Sequence, residues 1–87
     1  MKRYIKSAVI DISDDDVLAR INVAQTTMRP ELLGQLSWDY NPSVREAVAE
    51  NYNTPDEVLQ RLTSDSDPWV VSDAWATLID KQRHGKS

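Results

Sequence analysis

Residues 39–49, D-Y-N-P-S-V-R-E-A-V-A, recur 26 positions downstream as D-S-D-P-W-V-V-S-D-A-W. Leu33 and Leu36 map onto Leu59 and Leu62 at the same shift, and a weaker copy lies 25 residues upstream, where Asp14, Arg20, Val23 and Ala24 correspond to Asp39, Arg45, Val48 and Ala49. Pro30 likewise maps onto Pro55, so one residue is inserted between the second and third copies. A period of this length marks a repeat architecture, in which no unit buries its apolar face alone and each must rest on its neighbours.

The local chemistry makes each unit a pair of short helices. Thr54-Pro55-Asp56-Glu57 reads as a capping box, with Thr54 at the N-cap, proline at the first helical position and Glu57 two residues on. Val58, Leu59 and Leu62 then form an apolar stripe, as do Leu32, Leu33 and Leu36 after Pro30. Asn41-Pro42 and Asp67-Pro68 again set a capping side chain before a proline, followed by Val44, Ala47 and Val48 and by Val70, Ala74 and Leu78. Ser13-Asp14-Asp15-Asp16 is expected to open the first helix, which carries Val17, Leu18, Ile21 and Ala24. Gly34 falls inside a helix, where it would permit a close helix–helix approach.

Residues 39–62, with the pattern D-x-x-x-x-V-R-x-x-V-A-x-N-x-x-T-P followed by leucines, resemble the leucine-rich-repeat variant family, a relative of HEAT-type helical repeats. The likeness is close over 39–65 and looser over 14–38 and 65–78. It implies an all-α fold, a small right-handed helical-repeat solenoid of about five short helices, and says little about function. Val71 stands where the motif has arginine, and Ala74-Trp75 where it has Val-Ala. Some members carry an N-terminal cysteine cluster for iron and sulfur. This chain has no cysteine, so that role does not transfer.

The chain, residues 1–87, is expected to be one domain, with the helical repeats over 13–80. Residues 1–12 are rich in β-branched side chains and partly alternate, the pattern of an extended segment that caps the open end or pairs with a second chain. Residues 81–87 read as a flexible polar tail. Monomer and dimer through the N-terminal segment both remain open. The apolar runs are far too short to span a membrane, and no secretory pattern is present, so a cytoplasmic setting is expected (the host cytoplasm for a phage-encoded protein).

Charge is unevenly placed. The first six residues carry +3 and the last seven +3, while all 14 acids lie between Asp11 and Asp80 against four arginines, a body of −10. Such a body repels nucleic-acid phosphate and attracts a basic surface, although solubility alone also explains it. Direct nucleic-acid binding is therefore disfavoured.

Catalysis finds no support, and neither a cofactor nor a metal is expected. The single histidine, His84, sits in the presumed tail, and Asp14-Asp15-Asp16 point different ways around a helix start. Arg20 and Arg45 share one repeat position; pairing with a nearby acid such as Asp14, Asp39 or Asp65 explains them better than an anion-grasping ladder. The aromatics carry the best functional signal. Trp38, Tyr40, Tyr52 and Trp69 fall at helix ends or replace small repeat residues, and are candidate partner contacts or end-plugs; Trp75, on a stripe with Val71, Leu78 and Ile79, is assigned to the core. Glu46 and Glu50, one turn apart, add an acidic face. The resulting expectation is a non-enzymatic protein-binding module acting by occupancy through Trp38, Tyr40, Glu46, Glu50, Tyr52 and Trp69. The alternative is a small acidic phage-type inhibitor of a host defence nuclease, anti-CRISPR-like, which fills a basic channel as a nucleic-acid mimic.

Overall fold

The computed structural model describes residues 9–85, with side chains from 16 to 84. These residues form five helices: α1 (Val9–Thr26), α2 (Pro30–Leu36), α3 (Pro42–Glu50), α4 (Asp56–Leu62) and α5 (Pro68–Gly85). The fold of the described residues is all-α, as the repeat pattern requires. α1 packs on α3 and α3 on α5, while α2 rests on α1 and α3, and α4 on α5.

Two of the expected caps form. The Asn41 side chain accepts the Ser43 N–H at 2.8 Å, and Asp67 Oδ1 accepts those of Trp69 at 2.8 Å and Val70 at 3.3 Å, each just ahead of a proline whose missing N–H costs the helix nothing. The capping box at Thr54 does not form. Pro55 is the N-cap of α4, its carbonyl accepting from Val58 and Leu59, and Thr54 is fully buried with its hydroxyl donating to the Val48 carbonyl at 2.7 Å. The threonine thus adds a second bond to a carbonyl at the end of α3, which also accepts the Asn51 N–H, instead of meeting an open N–H at the start of α4.

The core joins Ala24, Leu33, Val44, Ala47, Val48, Ala49, Leu62, Val70 and Ala74, with Val17, Ile21, Leu36 and Val58 packed against it. Four of these are alanines, which let successive helices approach closely, while each buried leucine or valine contributes about 2 kcal/mol of transfer free energy.

Five expectations need correction. Residues 9–12 are helical: α1 begins at Val9, so the expected extended segment is not seen there, and residues 1–8 lie outside the described residues. A lone strand has no ladder partner, whereas a helix pairs its backbone within itself. Consequently residues 13–16 lie inside α1 and do not open it. Residues 81–85 continue α5, with Lys81 Nζ bonded to Asp56 Oδ1 at 2.6 Å and to the Thr54 carbonyl at 2.8 Å, so no flexible tail begins at 81; residues 86–87 lie outside the description. A Cβ added to Gly34 would meet nothing within 4 Å, so no close approach requires that glycine. Trp75 is not core but 53% exposed, because Val70, Ala74 and Leu78 take the inward face of α5. Among the described residues, no helix is long and apolar enough to cross a membrane.

Candidate functional site

The turns between helices are held by matching arginine–aspartate clasps. Arg20 on α1 donates to both carboxylate oxygens of Asp39, at 2.7 and 3.3 Å, and Arg45 on α3 does the same to Asp65, at 2.8 and 3.1 Å. Each aspartate also accepts a backbone N–H two residues on, from Asn41 or Asp67. Burial pushes both carboxyls up, but the arginine bond, the backbone bond and the nearby guanidinium charges outweigh it, leaving Asp39 and Asp65 below the ordinary range. The arginines are therefore structural, and they neutralise the acids of the turns.

Beside these clasps lies a groove of about 390 Å³ whose lining includes Trp38, Tyr40, Arg45, Arg61 and Asp65. Trp38 and Tyr40 are 71% and 79% exposed. The Arg61 guanidinium lies 3.7 Å from the Trp38 ring centre and donates to the buried Ser37 hydroxyl at 2.6 Å; that of Arg20 lies 5.6 Å from Tyr40. Both aromatics are thus steadied by cation–π contacts while keeping most of their surface in solvent.

A second group forms across α3 and α5. Glu46, Glu50 and Asp73 each bring a carboxylate oxygen within 4.8 Å of the others, and Asp73 Oδ2 is buried without a hydrogen-bond partner. Burial comes first, followed by interactions with Asp73, in pushing both Glu46 and Glu50 above the ordinary glutamate range. Among the described residues no cation reaches these three, in contrast to the clasped acids of the turns. Such a set can share a proton or meet an incoming cationic group. Glu50 continues into a groove of about 440 Å³ with Tyr52, Thr77, Asp80 and Arg83. Tyr52 is half-exposed there, with Lys81 Nζ 5.9 Å from its ring centre and the His84 ring tilted at 6.2 Å.

The six expected contact residues therefore do not make one site. Trp38 and Tyr40 share the groove beside the clasps, and Glu46, Glu50 and Tyr52 fall on the α3–α5 side. Trp69 is exposed on the first turn of α5 and lines neither groove. Sequence reasoning did not single out Arg61 or Asp73. The signal for Asp73 was present, since it stands one repeat beyond Ala47 and replaces an apolar residue by a carboxylate.

Residues 42–67 match the model of the leucine rich repeat variant family. That stretch holds α3, α4 and the turn that caps α5, and the structure explains its pattern. The motif arginine, Arg45, clasps Asp65. The motif asparagine, Asn51, donates from Nδ2 to the Ala24 and Thr27 carbonyls, both at 2.9 Å, tying the end of α3 to the end of α1. The motif threonine, Thr54, bonds the Val48 carbonyl. No curated protein and no solved structure matches the chain significantly.

Proposed function

We propose that this chain is a non-catalytic protein-binding module that acts by occupying a partner with a basic surface. The reading rests on one contrast: the acids of the turns are neutralised by built-in arginines, whereas Glu46, Glu50 and Asp73 are crowded together and, among the described residues, form no salt bridge. Bringing carboxylates this close costs stability, and an arriving lysine or arginine would relieve that cost. Tyr52, at the end of the same helix face, supplies an amphipathic anchor beside the charge. The matched repeat family supports a helical-repeat scaffold, which commonly serves recognition.

The test is a pull-down with the tagged full chain and with its Glu46→Gln/Glu50→Gln variant, at low and moderate salt, identifying each retained protein. A basic partner retained by the wild type, released by salt and lost from the variant is the expected result. Retention of the same partner by both chains at both salt levels would refute the acidic site and direct attention to Trp38 and Tyr40. If the partner is a nuclease and its nucleic acid competes, the mimic-type inhibitor becomes the specific form of this function.

A further inference from the structure

Arg61 differs from the two arginines that clasp the turns. Arg20 and Arg45 each commit N–H groups to both oxygens of an aspartate. Arg61 donates to the Ser37 hydroxyl and, among the described residues, forms no salt bridge and no other hydrogen bond. A guanidinium carries several N–H donors in a fixed fork, so most of those on Arg61 have no protein acceptor among the described residues. Its place is nonetheless fixed. Half-buried on α4, it lies over the Trp38 ring, and the Ser37 hydroxyl that receives it is buried and itself donates to the Gly34 carbonyl at 2.6 Å. The guanidinium is thus held in position without a carboxylate of its own.

The groove beside it is rich in donors and poor in acceptors. Asp39 and Asp65 line it, but both oxygens of each are taken by an arginine, and one of each pair also accepts a backbone N–H. The Trp38 indole N–H and the hydroxyls of Ser64 and Ser66 line the same groove and, among the described residues, make no hydrogen bond. In charge, Arg20, Arg45 and Arg61 offset Asp39, Asp65 and the Asp67 cap, so this corner is near neutral in a chain whose body carries −10.

We infer that this groove takes a carboxylate of a partner peptide, the acid on the Arg61 guanidinium and its flanking apolar residue against Trp38 and Tyr40. A guanidinium already ordered by stacking can meet a carboxylate through two parallel N–H···O bonds with little further loss of side-chain freedom. The exposed indole and phenol rings supply apolar area directly beside that charge. A nucleic acid would bring a run of phosphates against a body of −10, whereas a single carboxylate meets mainly the donors of the groove. The groove shares no lining residue with the Glu46–Glu50–Asp73 surface and does not depend on how that surface is used.

The test is to titrate the full chain with the blocked peptides acetyl-Leu-Glu-Leu-amide and acetyl-Leu-Gln-Leu-amide, following the proton–nitrogen NMR signals of the Trp38 indole and the Arg61 side chain. Saturable shifts of both signals are expected with the glutamate peptide, and binding about tenfold weaker with the glutamine peptide, which keeps the shape and removes the charge. Arg61→Gln should abolish the shift at Trp38. Trp38→Ala, at an exposed position, should leave the fold intact and weaken binding about tenfold, read at Arg61. Glu46→Gln/Glu50→Gln should bind the glutamate peptide as the wild type does. No saturable shift, equal binding of the two peptides, unchanged binding by Arg61→Gln, or tighter binding of an oligothymidylate at the same two signals would each overturn the inference.

Discussion

At the scale of single residues, the repeat is a set of side chains that perform the same act one unit apart. Arg20 and Arg45 each hold an aspartate of the following turn. Asn51 and Thr77, 26 positions apart, each reach back to the carbonyl of a buried alanine, Ala24 or Ala49, although one uses an amide and the other a hydroxyl. The register thus preserves the bond and not the residue type. Gly34 performs no comparable act. Its added Cβ would meet open space, so Gly34→Ala should raise stability by about 0.5–1 kcal/mol through lower backbone entropy in the unfolded chain, measured as an increase in the urea midpoint. A fall in the midpoint would mean that the helix needs that glycine for a contact beyond those described.

At the scale of elements, none of α2, α3 and α4 exceeds nine residues, and helices so short are not stable alone in water. Their ends are closed by groups from beyond the helix as well as by local caps. Thr54 shows the difference. If it were an N-cap, Thr54→Asp would be tolerated, because aspartate caps as well as threonine. It is instead a fully buried donor to the Val48 carbonyl, so Thr54→Asp should cost several kcal/mol by burying a carboxylate against an acceptor, while Thr54→Ser should cost about 1 kcal/mol. Comparing the two denaturation midpoints separates the roles. α5 differs from its neighbours in being twice the length of α3, and Lys81 ties its second half to Asp56 and Thr54.

At the scale of the molecule, two sets of carboxylates titrate in opposite senses. Asp39 and Asp65 lie below their ordinary 3.8 in the folded chain, so their contribution is present above that value and is lost as pH falls through the depressed folded one. Glu46 and Glu50 lie above their ordinary 4.5, so the folded state binds protons there first, and stability rises as pH is lowered from neutrality towards 4.5. The melting temperature should therefore pass through a maximum in mild acid and fall steeply below it. Glu46→Gln/Glu50→Gln should flatten the rise on the neutral side and leave the acid fall in place. An unchanged profile in that variant would mean that the carboxylates are not crowded in solution.

Helix type, the inward valines, leucines and alanines, and the arginine clasps were all legible in the chain, because they follow from periodicity and from the short reach between a repeat position and the next turn. Residues 42–67, with their proline, valine, arginine and asparagine at fixed spacing, carried the match to the repeat-family model as well. The structure alone decided which residues share a surface. Asp73 meets Glu46 and Glu50 only because α5 lies on α3, and Arg61 meets Trp38 only because α4 brings it beside the preceding turn. The start of α1 and the helical course of residues 81–85 also escaped local reading. Trp75 was misplaced for a related reason: a helical stripe shows that residues share a face, but which of two apolar stripes turns inward depends on the neighbour that packs there.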